Sequence, residues 1–95
     1  MTTLIKNGTV VSATGRHVAE VLVDGTTIAA LMAPGSAPAV AAESGAERVI
    51  DATGKYVVPG GIDCHTHMEL PFGGTFASDT FEIGTRAAAW GGTTT

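Results

Sequence analysis

The sequence predicts two successive pieces of different class: a small antiparallel β-sheet or half of a sandwich over residues 1–54, and the strand, loop and helix of a β/α unit over residues 55–95. Three observations predict it. The turn-forming pairs Asn7-Gly8 and Asp24-Gly25 each lie between short β-branched runs in the first third of the chain. Hydrophobic patterning is lost across 33–47, APGSAPAVAAESGAE, and after residue 79 the chain takes on a helical pattern that ends at Gly91-Gly92.

Taken in order, Leu4 to Lys6 and Thr9 to Val11 flank Asn7-Gly8, a pair that favours the positive φ angles of a type I′ hairpin. Val18 to Val23 and Thr27 to Met32 flank Asp24-Gly25 in the same way, so the expectation is two hairpins forming an antiparallel sheet. Residues 33–47 read as a loop or linker, with room for a short helical turn at Val40 to Glu43. Arg48 to Asp51 is a brief strand, Thr53-Gly54-Lys55 a turn, and Tyr56 to Val58 an apolar run that stops at Pro59-Gly60-Gly61. Residues 68–78, MELPFGGTFAS, read as a loop carrying apolar side chains, of which Met68 is expected in the core. Asp79 with Glu82 resembles a capping box at the start of a helix, and Gly91-Gly92 supplies a left-handed stop. Thr93 to Thr95 read as the first residues of a returning strand.

Composition narrows the function classes. The chain has 95 residues, so it holds at most one small domain with a modest core. Five Lys and Arg against nine Asp and Glu give a net charge of −4, which offers no basic footprint for nucleic acid. The N-terminus reaches Asn7-Gly8 before an apolar region of signal-peptide length develops, and the uncharged stretch 25–42 is broken by Pro34, Gly35 and Pro38, so no membrane segment is expected. One cysteine, Cys64, excludes an internal disulfide and fits a cytoplasmic location. It reads as a small buried hydrophobe rather than a nucleophile. His17 is expected in a polar turn, in solvent.

The chemistry concentrates at GIDCHTH, 61–67. If this stretch is extended, the period of two puts Asp63, His65 and His67 on one face, and two imidazoles at i and i+2 at a strand's end can converge on one metal. The alternative is two hydrogen-bonded surface histidines, because a catalytic zinc takes three protein ligands. Position favours the clamp: an apolar strand that delivers His-x-His at its C-terminal end before a long loop and a helix matches where barrel enzymes keep their active sites.

Residues 59–67, PGGIDCHTH, resemble the signature that opens the barrel of the amidohydrolase superfamily. The continuation THMELPFGGTFASDTFEIGTRAAAWGGTTT, with IKNGTVV and VIDATGKYVVPGGID upstream, resembles the dihydropyrimidinase and hydantoinase family of cyclic amidohydrolases. The resemblance implies the N-terminal part of a small β-sandwich followed by the first β-strand and helix of a TIM (β/α)8 barrel. It implies His65 and His67 as metal ligands in a site of two zinc ions per complete subunit. A bridging carboxylated lysine, two more histidines and the catalytic aspartate would come from strands beyond this stretch, leaving no catalytic residue within it. Asp63 would hydrogen-bond a ligand imidazole, or else its own backbone. Leu70 and Phe72 would line the pocket for the ring substituent, or else pack on the barrel rim.

The implied reaction is hydrolysis of the cyclic amide bond of dihydropyrimidines or 5-substituted hydantoins to N-carbamoyl amino acids, by a cytoplasmic homotetramer. Similarity to dihydroorotases would put an arginine where this chain has Glu69, and similarity to allantoinases a Pro-Gly turn where Pro71 precedes Phe72. The first departure disfavours a carboxylated ring, and the second favours an apolar exocyclic pocket. A non-enzymatic dihydropyrimidinase-like scaffold is the other alternative, disfavoured by the presence of both histidines. With one barrel strand and one helix where a barrel takes about 250 residues, the 95-residue chain alone is expected to be inactive.

Overall fold

A computed structural model describes residues 1–95. The chain forms two compact units, Met1–Pro59 and Gly60–Thr95. The first unit thus runs past Gly54, where the sequence places the division, because Tyr56 and Val57 pair with the first strand.

In the first unit β1 (Thr2–Ser12), β2 (Gly15–Asp24) and β3 (Thr27–Met32) form an antiparallel meander, and β4 (Arg48–Asp51) and β5 (Tyr56–Val57) both pair parallel to β1. The order is β3-β2-β1-β4, with β5 following β4 along the same edge of β1. The sheet is therefore mixed rather than antiparallel. Parallel return requires a crossover of a dozen or more residues, and the stretch expected to be a loop supplies it. Helix α1 spans Ala37–Gly45, with Ser36 at its N-cap and Pro38 in its first turn. Alanines make it helical by propensity and Pro38 is pre-set for the first turn. Its small side chains carry no amphipathic stripe, and Ala39 is its only buried residue.

Asn7-Gly8 is not a hairpin turn. β1 runs straight through it, and the turn to β2 lies at Ala13-Thr14. Asn7 does adopt φ 62°, but as a β-bulge: Ile5 pairs with Val21 and Gly8 with Ala19, so Lys6 and Asn7 together oppose Glu20. The second hairpin forms as expected, with Gly25-Thr26 as its two-residue turn. The core is small, comprising Leu4, Ala19, Val21, Ala39 and Ala52, with Glu20 buried among them. Lys6 pairs with Glu43 of α1. That hydrogen bond, and the nearby charges of Glu43, Glu20 and Asp51, raise the Lys6 pKa. His17 is exposed, on β2 opposite Val10 rather than in a turn.

In the second unit Gly61 makes a parallel bridge to Thr93, and the Asp63 N–H donates to the Thr95 carbonyl at 2.7 Å. Thr93 to Thr95 thus lie beside Gly61 to Asp63 through one parallel bridge and a further hydrogen bond, without forming a strand. Between them, β6 (Pro71–Phe72) and β7 (Thr75–Phe76) form a minimal hairpin around Gly73-Gly74, both at positive φ. That Gly-Gly pair is a two-residue hairpin signal inside a stretch that reads in sequence as plain loop.

Helix α2 spans Phe81–Trp90. Its N-cap is Thr80, whose hydroxyl accepts from Ile83 N–H at 3.2 Å, and not Asp79; Glu82 pairs with Arg86 one turn on. At the other end Thr93 N–H bonds the Ala88 carbonyl and Gly92 N–H the Ala89 carbonyl, with Gly92 at φ 89°. This is a Schellman motif, with Gly92 as the left-handed residue. No helix of the chain is long and apolar enough to cross a membrane.

Candidate functional site

Only Gly61 of the 61–67 stretch pairs as strand; the rest is irregular, yet it gathers the histidines. Nε2 of His65 and Nε2 of His67 lie 3.0 Å apart, their ring centroids 5.0 Å apart and their planes tilted by 44°. With one nitrogen protonated this is a hydrogen bond. With both bare, two lone pairs face one point. Two imidazole nitrogens on one tetrahedral zinc, each about 2.0–2.1 Å from it, sit roughly 3.3 Å apart, so the observed separation suits a shared metal after a small opening. Both rings are exposed, and neutral imidazole is the usual donor for zinc. The pair fits a metal as two of its ligands. No group of three or more His, Cys, Asp or Glu side chains gathers in the chain, so the pair by itself does not make up a complete coordination sphere.

Asp63 does not reach an imidazole. Its carboxylate accepts from the His65 backbone N–H at 3.0 Å, closing a turn that sets the direction in which the chain presents His65. Cys64 is exposed rather than buried, in a stretch, 61–67, whose residues are all exposed.

Leu70 and Phe72 line an open hollow of about 420 Å³ together with His67, Thr75, Phe76 and Ala77. The hairpin builds it. Ala77 N–H bonds the Leu70 carbonyl, and the Gly73-Gly74 turn brings Thr75 opposite Phe72 and Phe76 opposite Pro71. The hollow is apolar except for His67 and Thr75, so one residue of the histidine pair also borders it. Thr75, Phe76 and Ala77 escape a reading of the sequence that takes Gly73-Gly74 as loop; taken as a type I′ turn, the pair brings them opposite Leu70 and Phe72.

The chain matches no family model. It is 61% identical over 93 residues to the D-hydantoinase of Streptomyces coelicolor, covering 98% of this chain and 20% of that protein. Among solved structures it is similar to a crystal structure of D-hydantoinase, with a TM-score of 0.81, 52% identity and coverage of 98% of this chain and 19% of the other. The dihydropyrimidinase of Brevibacillus agri superposes with a TM-score of 0.79 at 49% identity, covering the same shares of the two chains. The chain therefore spans about one-fifth of the length of the relatives it matches, at their N-terminal end.

Proposed function

We propose, for a chain that over its 95 residues belongs to the D-hydantoinase and dihydropyrimidinase family, that it forms the metal-holding N-terminal part of a zinc-dependent cyclic amidohydrolase. The full-length protein would open dihydropyrimidines or 5-substituted hydantoins to N-carbamoyl amino acids, in the cytoplasm and as a homotetramer. The observation that carries this reading is the convergence of His65 and His67, Nε2 to Nε2 at 3.0 Å, with His67 also bordering an apolar hollow. A non-enzymatic scaffold has no use for that pair.

His65 and His67 would hold one of two zinc ions, the second bridged to it by a carboxylated lysine outside these residues. When bound, the metal supplies a Lewis acid for the ring carbonyl and lowers the pKa of water into the neutral range. The residues here hold and orient. Asp63 fixes the backbone at His65, which limits the region its ring can reach. Leu70 and Phe72, with Phe76, offer apolar surface beside His67 for a ring substituent, while the polar amide is directed to the imidazole side. The start of a (β/α)8 barrel is the architecture this implies, with Gly61 to Asp63 as the end of its first strand and α2 as its first helix.

The full-length protein loaded with zinc is expected to hydrolyse dihydrouracil or a 5-substituted hydantoin, and His65→Ala or His67→Ala to lower kcat at least about a hundredfold with loss of bound zinc. The 95-residue chain with added zinc is expected to show no turnover. Full activity in either histidine variant, or turnover by the short chain, would overturn the assignment.

A further inference from the structure

We propose that Gly84 and Met68 are positioning residues for the histidine pair: the absent side chain at Gly84 leaves the seat that Met68 occupies, and Met68 holds the adjoining His67 against His65. The inference rests on the reading of His65 and His67 as metal ligands.

Met68 is the one residue between 61 and 76 drawn out of solvent, and Gly84 is the one buried residue of the second unit. They meet. A Cβ at position 84 would lie 2.7 Å from Met68 Sδ, 2.9 Å from Cε and 3.1 Å from Cγ. Glycine inside a helix costs about 1 kcal/mol relative to alanine, so its place here is explained by what it admits. Sδ and Cε can swing aside from an added methyl, but Cγ, one bond from Cβ, has less freedom. A push there is passed to a backbone whose next Cα, that of His67, is about 3.8 Å away.

The flanking chain is held equally firmly. Glu69 sits at φ 53°, unusual for a residue other than glycine, and its N–H donates to the Asp79 carbonyl at 2.9 Å. On the far side the Asp63 carboxylate anchors the His65 N–H. The two imidazoles are therefore located from opposite ends, His65 through Asp63 and His67 through Met68, which packs against Gly84 of α2. A ligand pair that must meet one metal depends on such support at the level of about 0.5 Å.

The test uses the full-length protein, with zinc affinity read by chelator competition and ligand geometry by the visible spectrum of the cobalt(II) form. Met68→Ala and Gly84→Ala are each expected to weaken zinc binding about tenfold, within the range found when groups that orient metal ligands are removed, and to alter the cobalt bands. The double variant is expected to be no weaker than Met68→Ala, because Gly84 acts only through Met68. Wild-type zinc affinity in Met68→Ala, with a lowered melting temperature, overturns the proposal and leaves the contact as packing alone. If Met68→Ala does not fold, Gly84→Ala decides by itself, and an unchanged affinity there has the same meaning. Undiminished zinc binding in His67→Ala is a separate result, which overturns the ligand assignment.

Discussion

Asp51 is the most heavily bonded carboxylate in the chain. Its Oδ1 accepts from the Thr53 hydroxyl at 2.6 Å, the Thr53 N–H at 3.0 Å and the Asn7 amide at 3.2 Å. It thereby ties the end of β4 to the left-handed residue of β1. These bonds favour the charged form, those from Thr53 first and that from Asn7 next, and hold the carboxyl below its ordinary pKa. A depressed folded-state pKa means that the charged form contributes stability above the unfolded value of 3.8 and loses it as pH falls through the folded value. Asp51→Asn is therefore expected to lower the urea midpoint of the 95-residue chain at about pH 7, with the gap to wild type closing as the pH is taken below about 3.8. An equal gap at both ends of that range would mean that charge plays no part.

At the scale of elements, the bulge in β1 decides the shape of the first sheet. Its two-for-one step between Ile5 and Gly8 lets β4 pair with the first half of β1 and β5 with the second. Gly8 sits where these meet: a Cβ there would lie 2.5 Å from Val57 Cγ2 and 3.1 Å from Ala52 Cβ. Gly8→Ala is thus expected to cost about 1–3 kcal/mol by overpacking, read as a lower urea midpoint with an unchanged slope. A midpoint within error of wild type would show that β5 gives way without cost. Asn-Gly was legible as a demand for positive φ, which Asn7 meets. That the demand belonged to a bulge rather than a hairpin depended on β4 and β5, which arrive from the far side of α1.

At the scale of the molecule, the two units differ in how much each buries. Leu4, Ala19, Val21, Ala39 and Ala52 are buried in the first. In the second only Gly84 is, while Ile62, Phe72, Phe76, Phe81, Ile83 and Trp90 are each more than half exposed. Hydrogen exchange of the 95-residue chain is expected to protect amides of β1, β2 and β4 and leave 61–77 close to unprotected, since local stability follows buried apolar contact. In the full-length protein the same 61–77 amides are expected to become protected. Equal protection of both units in the short chain would refute the first expectation. Exposed apolar area on this scale marks a surface built to be covered, consistent with relatives about five times as long.

What depends on neighbours along the chain could be read from the residues alone. The strands around Asp24-Gly25, the strand Arg48–Asp51 and the helix after residue 79 with its glycine stop follow from turn chemistry and side-chain period. The resemblance of PGGIDCHTH and its continuation carried the family. Folding in three dimensions was needed to choose the parallel pairing of β4 and β5, the use of Asn7 as a bulge, Thr80 rather than Asp79 as the cap, and the seating of Met68 on Gly84 beside the histidines. Each of these is a contact between residues distant in sequence or a choice between adjacent groups of equal propensity, and such choices are made by what packs against them.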